Sequence, residues 1–143
     1  MKLTRHTDYA LRVLMYLAVH QDRRCSIREI AQAYGISENH LMKVVQSLGG
    51  LGFVVTVRGR GGGLHLGRDP ANIRLAEVVR ATENDLTPAD CYGCTIAGAC
   101  RLENVLDRAV RAFLSVLDDC TLAEIVADPR LQSALLGREA EPS

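Results

Sequence analysis

The chain has 143 residues, 48% of them hydrophobic, enough for one compact domain or a small domain with an accessory element. It has no tryptophan and two phenylalanines, so its core must come from Leu, Val, Ile and Ala, and no stretch reaches the roughly 20 apolar residues of a membrane span. The net charge is zero, but residues 1–70 carry ten basic and five acidic side chains against seven and twelve in residues 71–143, so an anionic partner such as nucleic acid is expected for the first half alone.

The opening "MKLTRHTDYALRVLMYLAV" turns from basic to apolar as a signal peptide does, yet Asp8 and Arg12 interrupt the run and no small-residue cleavage site follows. A cytoplasmic protein without a membrane partner is expected, where clustered cysteines serve as ligands or redox switches rather than structural disulfides. Residues 6–21 predict a largely buried helix starting at His6 or Thr7, with Asp8 in its first turn. In residues 26–35, Ser26 and Glu29 have the spacing of a capping box and Gly35 is a stop signal. Ser37 then caps a second short helix whose apolar face is Leu41, Val44, Val45 and Leu48, ending at Gly49 and Gly50. Two short helices joined by "YGI" are a helix-turn-helix signature.

Residues 53–66, "FVVTVRGRGGGLHL", are two β-rich runs around a glycine-rich turn, a hairpin pattern. Helix, helix, helix, hairpin is the order of a winged helix. A further helix is predicted over 72–83, followed by an irregular stretch rich in Pro, Gly and Asp. Residues 101–119 then carry apolar Leu102, Leu106, Ala109, Phe113 and Val116 in 4-3-4-3 steps, a coiled-coil-like seam about 28 Å long if fully helical. That exceeds what the tail of a small domain needs, so a second subunit is expected against it. The expected fold is mainly α with a small β-hairpin: a winged helix-turn-helix plus a long dimerisation helix. The expected division is a DNA-binding domain over 1–83, a cluster-binding loop over 84–100, and a dimerisation helix with a helical tail over 101–143. The last residues, "GREAEPS", read as a frayed end.

The second helix of a helix-turn-helix places its N-terminal residues at base edges in the major groove. Here these are Ser37, Glu38, Asn39 and His40, with Lys43 one turn on, suited to a phosphate or guanine. Glu38 suits either a cytosine or the helix dipole. The hairpin tip holds Arg58 and Arg60 among glycines, as a wing entering the minor groove would. A phosphate-binding P-loop does not fit, because no Gly-Lys-Ser/Thr follows. No Ser/His/Asp constellation or paired-carboxylate site marks an enzyme.

Cys91 and Cys94 form a C-x-x-C and Cys100 follows, immediately before the long helix. A thioredoxin-like couple lacks its βαβ setting. Structural zinc wants four ligands, whereas only three cysteines cluster and no histidine lies beyond residue 66. An iron–sulfur cluster tolerates a non-cysteine ligand, and the positive end of the following helix favours thiolates. Cys25 and Cys120 stand apart and read as ordinary, partly buried residues. A zinc-stabilised module without a sensing role stays open, as does a thiol oxidoreductase using Cys91 and Cys94.

The segments "LTRHTDYALRVLMYLA", "ENHLMKVVQSLGGLGFVVTVRGRGGGLHL" and "CTIAGACRLENVLDRAVRAFLSVLDDCTLAEIV", in this order, resemble the Rrf-type iron–sulfur winged-helix regulators and, within them, the NsrR-like nitric-oxide-sensing repressors. The resemblance implies a homodimer on a palindromic promoter site, with one iron–sulfur cluster per subunit. In that branch the cluster is typically 4Fe-4S, with 2Fe-2S the alternative, and nitric oxide is the signal. Its cysteine ligands carry over onto Cys91, Cys94 and Cys100, and an oxygen ligand from the partner subunit falls on Asp8. The gap from Cys91 to Cys94 is shorter than usual in the family, so Cys91 matches least well. Arg12, one turn beyond Asp8, has the spacing to pair with it. The same scaffold also serves iron-status or general redox regulators.

Overall fold

The computed structural model describes residues 2–137. The elements are α1 (Arg5–Val19), α2 (Ile27–Tyr34), α3 (Glu38–Gly50), β1 (Val54–Val57), β2 (Gly63–Leu66), a 3-10 turn (Pro70–Asn72), α4 (Leu75–Thr82), α5 (Arg101–Asp118), α6 (Leu122–Val126) and α7 (Pro129–Leu136). This is the mainly helical winged helix-turn-helix expected from the pattern. The frayed end expected for "GREAEPS" lies, apart from Gly137, outside the described residues.

Local chemistry sets most boundaries. The first helix starts at Arg5, one residue before His6: Thr4 is the cap, its hydroxyl accepting from the Thr7 N–H. Ser26 and Glu29 close the capping box, and Gly35 ends α2 in the left-handed conformation. The Ser37 hydroxyl caps α3 by accepting from the His40 N–H. Gly49 and Gly50 are the last two residues of this helix, as expected, and Leu51 is its C-cap.

The strands pair antiparallel, with Val54 opposite Leu66 and Val57 opposite Gly63. Cys25 adds a bridge to Leu64 on the other edge of β2, joining the hairpin to the helical part. The core lies where α1 crosses the helix-turn-helix: Ala10, Val13, Leu14, Ile30, Leu41, Val44 and Leu48 are fully buried. α1 and α2 are also tied by polar bonds. Glu29 accepts from the Tyr16 hydroxyl at 3.0 Å and from both Arg23 guanidinium nitrogens at 2.9 and 2.8 Å.

α6 and α7 return from the far end of α5 to pack on α1, and Leu122 is fully buried in the same core. α5 behaves differently: none of its residues is buried. Leu106, Val110, Phe113, Leu114 and Leu117 are half-buried on the side toward α4. Leu102, Val105, Ala109, Ala112 and Val116 are exposed, in steps of 3-4-3-4. The seam read from the sequence therefore mixes two faces, with Leu106 and Phe113 turned inward and Leu102, Ala109 and Val116 outward.

Candidate functional site

Residues of α3 divide cleanly by face. Leu41, Val44, Val45 and Leu48 anchor the helix, leaving Glu38, Asn39, Met42, Lys43 and Gln46 exposed. Glu38, Asn39 and Lys43 are thus free to meet a groove. Ser37 is exposed, but its hydroxyl is engaged as the cap. His40 is half-buried with its ring edge-on to Tyr9, centroids 4.7 Å apart. Its first job is to seat α3 against α1. Met42 and Gln46 escaped the sequence reading, which followed the N-terminal turn; the 3.6-residue period from Asn39 is the signal that finds them.

The wing tip turns at Arg58–Gly62. Gly59 and Gly61 have φ of 90° and 71°, and a Cβ on Gly62 would sit 2.3 Å from the Val57 carbonyl oxygen. Glycine here is first a demand of the turn itself. Arg58 and Arg60 are exposed and bond to no described residue, and Arg24 braces the tip by donating to the Gly61 carbonyl at 2.8 Å.

Two capped helices, the second with a free polar face, beside a hairpin carrying unpaired arginines, define a winged helix-turn-helix DNA-binding transcriptional regulator. Residues 3–128 match the Rrf2 family, described as iron-dependent transcriptional regulators. The chain belongs to this family. It is 50% identical over 132 residues to the HTH-type transcriptional regulator NsrR of Bacillus subtilis (strain 168), covering 88% of this chain and 90% of that one. It is 44% identical over 142 residues to NsrR of Geobacillus kaustophilus (strain HTA426), covering 95% and 97%. Among solved structures, T. potens IscR superposes with a TM-score of 0.75 at 27% identity, over 90% of this chain and 88% of that one. CymR, the global cysteine regulator of B. subtilis, gives 0.77 at 26% identity, over 89% and 97%. The relatives are regulators of transcription, not enzymes, and no described helix is long and apolar enough to cross a membrane.

Cys91, Cys94 and Cys100 all lie in the irregular loop between α4 and α5, Cys94 exposed and the other two half-buried. The Cys94 N–H donates to the Cys91 carbonyl across a tight turn, and Cys100 is the N-cap residue of α5. Partial desolvation, together with negative charge from Glu103, the other two thiols and Asp107, pushes the Cys91 thiol up. Asp85 and Asp90 line the same cleft of about 650 Å³. Among the described residues no group of three or more His, Cys, Asp or Glu side chains is arranged to hold a metal ion. Three thiols in one short loop have no reason to converge by themselves. Their chemistry nevertheless fits an iron–sulfur centre, which takes thiolates and needs one more ligand than this loop supplies.

Asp8 lies on α1, its carboxylate held by Arg12 at 2.9 and 3.3 Å. The Arg12 guanidinium lies over the rings of Tyr9 and Tyr34, 5.9 and 5.8 Å from their centroids. The base of the loop is also tied to α1. Glu83, at the C-cap of α4, accepts from the Thr4 N–H at 3.2 Å and from the Thr4 and Thr7 hydroxyls. Sequence reading passed over this contact, because nothing local links residues so far apart. Cys25 is fully buried, its thiol pushed up to about 11 chiefly by desolvation, and Cys120 is half-buried.

Proposed function

We propose that the protein is a homodimeric transcriptional repressor whose grip on a palindromic operator is set by a nitric-oxide-sensitive iron–sulfur cluster, in keeping with its likeness to NsrR. The observation that carries this reading is that Cys91, Cys94 and Cys100 share the one short loop that leads into α5, a helix with an uncovered apolar seam. When bound, the cluster supplies iron that nitric oxide attacks, and 4Fe-4S is the favoured form.

The chain's own residues then divide the work. The three thiolates hold the loop in one shape before α5. Asp8 of the partner subunit completes the ligand set, which requires Asp8 to leave Arg12. That ion pair is 39% and 45% exposed, so releasing it costs about 0.5 kcal/mol. The tie between loop and α1 orients both copies of α3, whose centres must stand about 34 Å apart to enter successive major grooves. Asn39 meets base edges, Lys43 and Glu38 flank them, Ser37 and His40 fix the helix, and Arg58 and Arg60 enter the minor groove. Loss of the tie frees that spacing, and about 2.8 kcal/mol suffices for a hundredfold loss of affinity.

The test is oxygen-free purification with iron and sulfide analysis and a visible spectrum, followed by titration with nitric oxide while operator binding is followed. Equal iron and sulfide, and binding that falls as the spectrum bleaches, are expected. Zinc without sulfide would leave a structural module in place of a sensor. A cluster that responds to iron supply and not to nitric oxide would make the protein an iron-status regulator.

A further inference from the structure

The outward line of α3 does not stop at the residues its opening turn supplies. With Leu41, Val44, Val45 and Leu48 buried, the helical period sets Asn39, Met42, Lys43 and Gln46 in sequence toward solvent. Gln46 is exposed and makes no hydrogen bond with any described residue. Past it the line ends in Gly49 and Gly50, inside the helix. Neither has a left-handed backbone. A Cβ on Gly50 would meet nothing within 4 Å, and one on Gly49 only the Val54 carbonyl oxygen at 3.9 Å. Nothing within the chain calls for glycine at either place, and glycine is a poor helix former. Bare backbone beside an unpaired amide on a polar face suits the close approach of a second molecule.

We propose that Gln46 reads a base edge in the major groove, an adenine by chemistry, and that Gly49 and Gly50 let this end of α3 sit deep enough for it to do so. The proposal rests on the DNA-binding reading above. A glutamine amide offers a donor and an acceptor at the spacing of adenine N7 and N6. Seven residues separate Asn39 from Gln46, about 10 Å along the helix, which corresponds to about three base-pair steps of 3.4 Å. Gln46 therefore addresses a base pair that the N-terminal turn does not reach. The negative end of the helix dipole disfavours a phosphate beside Gln46, whereas Lys43 carries its own charge to one.

The experiment uses full-length protein purified without oxygen and a duplex library carrying a randomised inverted repeat. Wild type is expected to enrich a motif in which each half-site carries an A·T pair in fixed orientation. Gln46→Ala, exposed and in the best helix-forming residue, is expected to lose about five- to a hundredfold discrimination at that pair alone. Gly50→Ala is expected to raise the thermal midpoint, since alanine favours the helix, while weakening binding to the enriched duplex about tenfold or more. An unchanged preference profile for Gln46→Ala overturns the proposal. So does uniform weakening at every position, which marks a backbone contact. Unaltered affinity of Gly50→Ala removes the role of the glycines. If wild type enriches no motif, the DNA-binding reading fails and the role of Gln46 with it.

Discussion

Glu83 is the residue that ties the start of α1 to the end of α4. Partial burial works to raise its pKa, but hydrogen bonds from Thr4 and Thr7, with the charge of His6, outweigh it and hold the carboxyl below its ordinary value. A carboxylate depressed in the folded state stabilises above its unfolded pKa, and that stabilisation is lost as pH falls through the folded value. Glu83→Gln is thus expected to cost about 1 kcal/mol at neutral pH, discounted for partial exposure. The gap should close as pH falls from about 5 toward 3, checked by urea unfolding across that range. Asp8 differs, being locally paired and half exposed. Asp8→Ala is expected to change stability by about 0.5 kcal/mol or less while altering the nitric-oxide response of operator binding. An unaltered response removes Asp8 from the switch. The Asp8–Arg12 pair was legible from its spacing of four; Glu83 was not, because its partners lie at the opposite end of the DNA-binding half.

The starts of α2 and α3 are legible in the sequence because each cap and its partner lie within one turn. The capping box of α2 needs only Ser26 and Glu29, and the cap of α3 only Ser37. Ser26→Ala is expected to cost about 1 kcal/mol in thermal or chemical unfolding, and Glu29 then loses the hydroxyl half of its box. α1 was placed late, because its apolar pattern starts after the cap at Thr4. The long helix shows the limit of periodicity. A 3.6-residue pattern reports that α5 has apolar faces but not which neighbour covers each. α4 takes one face, and the seam at Leu102, Val105 and Val116 is 59%, 52% and 70% exposed. For the proposed dimer, Val105→Asp with Val116→Asp is expected to leave a monomer in sedimentation, with the helical circular dichroism retained.

At the scale of the whole molecule, α6 closes the core of the DNA-binding half although it follows α5 in sequence. Leu122 is fully buried and its N–H donates to the Ile73 carbonyl at 2.8 Å. Leu122→Ala is expected to destabilise by about 2–5 kcal/mol, a loss visible in thermal or chemical unfolding. The far end of α5 is held by Arg74 donating to the Asp118 carbonyl at 2.6 Å and by the Leu75 N–H donating to the Cys120 carbonyl at 3.0 Å, while Glu83 anchors the start of the loop that leads into it.

Composition, caps, glycine stops and apolar periods determined by themselves that this chain is a helix-turn-helix with a wing and a long helix, and that three of its five cysteines stand in the stretch before that helix. These signals are local, acting within about one helical turn or one hairpin. The tertiary structure alone decided that His40 turns toward Tyr9 while Gln46 faces out, that Glu83 bolts the cysteine loop to α1, and that α5 hides one apolar face and bares the other. Each depends on which surfaces meet across long sequence separations, where burial favours any apolar partner and only the packed chain selects one.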